Sequence, residues 1–79
     1  MISVIWASLE GAARFNEFRQ AVAGVPPRTL TERLRELEAA GVLERRVIPA
    51  SPPYAEYVLT DRGRELRPVV QAMRAWRSA

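Results

Sequence analysis

Apolar positions recur with a helical period over most of the chain and alternate over one stretch. From Met1 to Glu10, Ile2, Ile5, Trp6 and Leu9 share one face of a short helix, and Gly11 stands where a helix-ending glycine commonly does. Asn16 is a good N-cap for a helix of about two turns running through Val22. Phe15 before it and Phe18 and Val22 within it turn to the core, and Gly24 closes it. Val25-Pro26-Pro27 is a stiff turn. Pro27 suits a first helical position, because the N–H it lacks would be unpaired there anyway. The span Arg28 to Ala40 is the strongest helix of the chain, with Leu30, Leu34 and Leu37 recurring at i, i+4 and i+7 as one buried stripe, and Gly41 stops it.

Val42 to Ile48 carries β-branched residues in alternation, which predicts a strand. Pro49-Ala50-Ser51-Pro52-Pro53 is a rigid, non-helical tip, and Tyr54 to Leu59 returns as the second strand of a hairpin, with Tyr57 and Leu59 packed beneath it. Thr60 caps a last helix with Asp61 in its first turn, where the helix dipole favours negative charge. Leu66, Val69, Val70, Met73 and Trp76 form its apolar side, and Pro68 kinks or restarts it. The order helix, helix, turn, helix, β-hairpin, helix predicts an α+β, mainly α fold: one winged helix-turn-helix domain over residues 1–79. The helix-turn-helix falls at 14–40, the wing at 42–59 and the C-terminal helix at 60–79. No repeat, linker or low-complexity segment interrupts it.

The polar side of the third helix holds the candidate chemistry. On a helical wheel Leu30, Leu34, Leu37 and Gly41 cluster within about 60°. Arg28, Glu32, Arg35 and Ala39 lie opposite, with Thr31 on one flank and Thr29 and Glu36 on the other. Arg, Thr and Glu side chains on the N-terminal half of an exposed helix can hydrogen-bond base edges and phosphates. The plain alternative is a solvated face of i,i+3 and i,i+4 pairs: Glu32 with Arg28 or Arg35, and Arg35 with Glu38. A short helix before this one, joined through a Gly-containing turn, completes a helix-turn-helix, whose second helix enters the major groove with its N-terminal residues leading. Arg45 and Arg46 on the first hairpin strand add positive charge beside it, or form a solvated strand face.

Composition narrows the function further. The chain has 79 residues and a net charge of +3. A chain of this length buries only about 60% of its unfolded surface, so a partner subunit would strengthen its core. All 12 basic residues are arginine, a planar, permanent cation suited to phosphates and guanine edges; codon usage in a genome rich in G and C gives the same bias. There is no cysteine and no histidine, which excludes disulfides, thiol sensing, Cys/His zinc sites and the usual nucleophile–His pairs. No convergent catalytic or metal-binding constellation is present, so neither enzyme activity nor a cofactor is expected. No apolar run approaches the ~18 residues that span a membrane, and the first residues lack the features of a signal peptide, which leads to the expectation of a cytoplasmic protein.

Several segments resemble HxlR-type winged helix-turn-helix regulators. They are Arg14-Phe15-Asn16-Glu17-Phe18-Arg19, then Pro27 through Glu38, then Gly41-Val42-Leu43-Glu44-Arg45, and then Pro52-Pro53 with Glu56-Tyr57-Val58-Leu59-Thr60 and Gly63-Arg64-Glu65-Leu66. The resemblance runs from about Val4 to Trp76 with the segments in family order. It implies a cytoplasmic, dimeric prokaryotic transcription regulator whose recognition helix is Pro27–Ala40 and whose wing is Val42–Leu59. Double-stranded DNA and a second copy of the chain are the implied partners; no effector ligand is indicated.

Arg28, Thr29, Thr31, Glu32 and Arg35 are the candidates for bases and adjacent phosphates, with Pro27 opening their helix. Asn16 and Arg19 are candidates for backbone contacts, and Arg45, Arg46 and Tyr54 serve the wing. Terminal helices pair across the dimer in this family, so Ile2, Ile5, Trp6, Leu9, Val69, Val70, Met73 and Trp76 are the candidate interface; for the two tryptophans, packing in the chain's own core is the alternative. Three departures stand out. Family members usually carry an N-terminal arm, with a Cys-Pro pair and a Gly-Gly-Lys-Trp stretch, before a first helix that is shorter here. The cysteine that senses redox state in some members is missing. Tyr54 occupies the position after Pro52-Pro53 where the family often has arginine, so the wing brings no charge there. A second function class also fits a winged helix: a protein-docking module without DNA binding.

Overall fold

The computed structural model describes residues 1–78, with side chains described through Trp76. The chain forms α1 (Ile2–Leu9), α2 (Phe15–Ala21), α3 (Pro27–Ala39), β1 (Leu43–Ile48), β2 (Tyr54–Leu59), α4 (Asp61–Arg64) and α5 (Arg67–Ser78). Ala79, the last residue of the expected C-terminal helix, lies outside the described residues.

α1 has hardly any polar side chains, and such a helix is buried on most sides rather than along one stripe. Val4, Ile5, Ala7, Ser8 and Leu9 are buried, whereas Ile2 and Trp6 are half-buried. Ile5 and Leu9, expected at a dimer interface, therefore belong to the chain's own core, and Val70 of α5 joins them there.

α2 begins two residues earlier than its sequence suggests. Asn16 is not the cap but sits in the first turn, and Arg14 stands at the cap position with extended backbone. The cause is Glu17, whose Oε1 accepts from the backbone N–H of Ala13 at 3.0 Å and of Arg14 at 2.9 Å. A carboxylate at the third helical position that reaches back in this way satisfies orphan donors at the helix start. The same two bonds, that from Arg14 first, hold the Glu17 carboxyl below its ordinary pKa. Phe18, fully buried, anchors this short helix, and its ring meets Tyr57 edge-on with centroids 6.4 Å apart.

α3 follows the pattern closely. Pro27 occupies its first turn, and Leu30, Leu34 and Leu37 are all buried. Gly41, at φ +77°, ends it. The Gly41 N–H donates to the Glu38 carbonyl at 3.0 Å and the Val42 N–H to the Leu37 carbonyl at 2.9 Å, the paired bonds of a Schellman motif. Val42 is thereby turned into the core beside Leu37, and the hairpin starts from a fixed point.

β1 and β2 pair antiparallel, with Arg45 opposite Tyr57 and Arg46 opposite Glu56. On β1 only Leu43 is fully buried and Glu44 to Val47 are exposed, so the outer half of the hairpin stands clear of the core. Its root is tied down twice. The Tyr57 N–H donates to the Ala13 carbonyl at 2.8 Å, and the Thr60 N–H to the Val42 carbonyl at 3.1 Å.

The expected last helix is two helices. Thr60 caps α4 through a bond from the Gly63 N–H at 3.0 Å, but α4 ends after a single turn. Pro68 lies in the first turn of α5, where its missing N–H breaks no helical bond; a continuous helix would have placed it in the interior. α5 packs along α1, the Arg67 guanidinium donating to the Leu9 carbonyl at 3.1 Å and Arg74 lying 4.3 Å over the Trp6 ring. Only Val70 of its apolar side is buried. Val69, Met73 and Trp76 are 53%, 43% and 81% exposed.

Candidate nucleic-acid interface

The first turns of α3 present the expected polar set outward. Arg28 is almost wholly exposed and lies 3.7 Å from Glu32, one turn on. An ion pair between two such exposed side chains contributes little, so Arg28 can be redirected to an anion at small cost. Thr29 and Thr31 are half-buried on the flanks. The Thr31 hydroxyl donates to the Pro27 carbonyl at 3.0 Å, which fixes its rotamer and leaves its oxygen free to accept. Arg35 is exposed and, among the described residues, has no carboxylate partner; the i,i+3 pair on this helix is Arg33 with Glu36 at 3.5 Å. Of the pairings that would make this a plain solvated face, Arg28–Glu32 forms and Arg35–Glu38 does not.

α2 borders the same surface. Asn16 and Arg19 line an open groove with Gly24, Pro26 and Pro27, so the first helix of the pair and the start of the second share one wall. Asn16 also lines a second groove, which leads to the middle and outer part of the hairpin and includes Arg14, Arg45 and Tyr54. There the Arg14 guanidinium stacks on the Tyr54 ring at 3.8 Å from its centroid. Arg14 is absent from the site residues picked out by sequence. Its partner lies forty positions away along the chain, and no local pattern links the two.

Arg45 and Arg46 are not brought together. Successive strand residues point to opposite faces. Arg45 lines the groove toward α2, whereas Arg46 turns away and pairs with Glu44 at 3.3 Å. The expectation of two wing cations side by side next to α3 is corrected to one on each face.

The remaining chemistry is sparse. Among the described residues no group of acidic side chains is placed to hold a metal ion, and no helix is long and apolar enough to cross a membrane.

The family model described as HxlR-like helix-turn-helix matches residues 1–79. The chain belongs to the HxlR family. It is similar to the HTH-type transcriptional regulator YybR of Bacillus subtilis (strain 168), 47% identical over 68 residues that cover 86% of this chain and 54% of that protein. YvaP of the same organism, another HTH-type transcriptional regulator, is 41% identical over 73 residues, covering 92% of this chain and 68% of YvaP. The chain thus spans between about half and two thirds of the length of these HxlR relatives.

Solved structures agree. The redox regulator HypR in its reduced form superposes with a TM-score of 0.86 at 43% identity, covering 95% of this chain and 74% of HypR. The HTH-type transcriptional regulator ytcD superposes with a TM-score of 0.90 at 32% identity, covering 98% and 79%. This HxlR chain is therefore a winged helix-turn-helix, with α2 and α3 as the helix pair and β1–β2 as the wing. The family is one of transcriptional regulators, not enzymes. HypR is a redox regulator by name; the 79 residues of this chain contain no cysteine.

Proposed function

We propose that this HxlR chain acts in the cytoplasm as a homodimeric transcription regulator that binds double-stranded DNA sequence-specifically. In this reading α3 enters the major groove, and Arg28, Thr29, Thr31, Glu32 and Arg35 read bases and neighbouring phosphates from it. Asn16 and Arg19 hold the backbone, and the wing, with Arg45, Arg46 and Tyr54, lies on the backbone or in the minor groove. The observation that carries the reading is the two-sided build of α3. It is stiffened by Pro27, packed by three leucines on one side, and presents Arg28 and an unpaired Arg35 on the other. A helix so anchored loses little further freedom on docking.

The test is duplex binding by fluorescence anisotropy as a function of salt, on operator DNA selected from a random pool. Affinity should fall with a log–log slope of about −0.9 for each phosphate contacted. Arg28→Ala and Arg35→Ala should each cost about 1–2 kcal/mol of specific binding, a factor of roughly 5–30, as expected for a lost arginine–guanine pair. No duplex binding at low salt overturns the reading and favours a docking module. Wild-type affinity in both variants overturns the site assignment.

The dimer in this reading is formed by the outer sides of α1 and α5. Ile5, Leu9 and Val70 are spent on the chain's own core, which leaves Ile2 and Trp6, half-buried, and Val69, Met73 and Trp76, exposed. Large apolar side chains of this kind, tryptophan above all, are enriched where subunits meet. Met73→Glu should weaken the dimer about tenfold or more by analytical ultracentrifugation, with the helical circular dichroism unchanged. A wild-type chain that sediments as a monomer at about 100 μM, roughly a hundred times a Kd of about 1 μM, would remove this part of the proposal.

A further inference from the structure

The second groove, between the start of α2 and the middle and outer part of the hairpin, holds two cations on one aromatic wall. One face of the Arg14 guanidinium is covered by the Tyr54 ring at 3.8 Å, and Arg45 lines the same groove. Among the described residues neither arginine forms an ion pair at contact distance with a carboxylate; the Arg14 charge acts weakly on Glu17, whose carboxylate is held first by backbone N–H groups. The nearby acids are engaged elsewhere. Glu17 accepts from the backbone N–H groups of Ala13 and Arg14, Glu44 pairs with Arg46, and Glu56 stands across from Arg46 on the other face.

We infer that Arg14, positioned by Tyr54 and assisted by Arg45, forms a phosphate-binding notch for the DNA backbone beside the wing. The inference rests on the DNA-binding reading above and adds a site to it. Stacking fixes the guanidinium plane while its edge N–H groups stay free, and that edge is the part that grips a phosphate through two parallel hydrogen bonds. Tyr54 contributes through its ring rather than its hydroxyl, by holding Arg14 at one angle. The groove is open rather than enclosed, as suits a polymer passing through. Asn16 lines both it and the α2–α3 groove, so a sugar-phosphate strand leaving the first turn of α3 toward the wing crosses Arg14 on the way.

The probe is a fluorescein-labelled 24-base-pair duplex of arbitrary sequence. Binding of that kind is carried by backbone phosphates and needs no operator. Anisotropy titrations from about 20 to 200 mM salt would compare wild type with Arg14→Ala, Arg14→Lys, Tyr54→Phe, Tyr54→Leu and the double variant Arg14→Ala/Tyr54→Leu, each checked for an unchanged thermal melt. Arg14→Ala should weaken binding about three- to tenfold and lower the salt slope by about 0.9 per bound protomer. Arg14→Lys should keep most of the slope, because the charge remains, and Tyr54→Phe, which keeps the ring that positions Arg14, should weaken binding less than Tyr54→Leu. Tyr54→Leu should weaken binding roughly two- to threefold in the wild-type background and not at all in the Arg14→Ala background, because a positioning residue acts only through its partner. If wild type binds with a steep salt slope and Arg14→Ala keeps that slope, the notch is refuted while the DNA-binding reading stands. If wild type shows no duplex binding at 20 mM salt, both fall.

Discussion

Phe18→Ala is expected to destabilise the domain by about 3–5 kcal/mol, the usual cost of removing a fully buried ring. The side chain is 0% exposed and is the one buried residue within α2, a helix of 7 residues. Helices of that length do not hold together by themselves in water, so α2 exists because Phe18 is inserted between the other helices and the edge of Tyr57. Removing it leaves a cavity in the core that Phe18 shares with Leu30 and Leu34, whose positions are set by the long α3 and do not collapse inward freely. Against a total stability of roughly 5–15 kcal/mol for a small domain, the loss is large. At about 4–8 °C per kcal/mol, the melting temperature should fall by more than about 12 °C. Phe18→Leu keeps most of the volume and should cost less than about 1.5 kcal/mol. Chemical denaturation followed by circular dichroism decides the matter, and a Phe18→Ala midpoint within experimental error of wild type would show that α2 is held by something other than this ring. The consequence for DNA is direct. Asn16 and Arg19 ride on α2, and Arg14 starts it, so the backbone contacts proposed for them should weaken before the fold is lost.

α3 was the most legible element, because three independent signals agree on it: a leucine every turn, proline at the first turn and glycine at the end. Agreement across such levels is what makes a local sequence specify one structure. The start of α2 was less legible because two capping signals compete within two residues. Asn16 is a good cap in isolation, but Glu17 reaches back to both preceding amides and moves the start forward. Pro68 announced an interruption, and the structure resolves it as a restart.

The site divides in the same way. Positions on α3 follow from one helical wheel, whereas the wing needed the actual register. Two adjacent arginines read as one basic patch, but a strand sends them to opposite faces. Tyr54 reads from sequence as a wing position without charge; folding places Arg14 upon it, a contact between distant segments that no periodicity encodes. The expected dimer residues mixed two roles, because an apolar helical face looks the same whether it meets its own core or another subunit. Burial separates Ile5, Leu9 and Val70 from Val69, Met73 and Trp76.

Gly63→Ala is expected to cost about 3 kcal/mol, at the upper end for adding a single methyl group, and to impair DNA binding beyond that loss. Gly63 lies in α4, and its backbone takes no unusual conformation there. What requires glycine is space. A Cβ at this position would collide with the Val42 carbonyl oxygen and would come within 2.8 Å of the Leu59 Cδ2. The leucine tip can rotate away, but the carbonyl cannot. Val42 is held in the Schellman turn after α3 and accepts a bond from the Thr60 N–H at 3.1 Å. The same Thr60 caps α4 through the Gly63 N–H, so relieving the clash means separating α4 from the turn that joins α3 to the wing. Either the cap or the Val42–Thr60 bond must lengthen, and both fix the hairpin root relative to α3. A thermal melt should therefore drop by about 12–24 °C, and on the proposed reading duplex affinity measured well below that melt should also fall, because the wing and α3 no longer share one orientation. Gly24→Ala, at a glycine with open space around it, is the control for the melt and should leave it near wild type. A Gly63→Ala protein that melts like wild type would mean that the α4–wing junction yields freely, and the wing could not then be a rigid extension of α3.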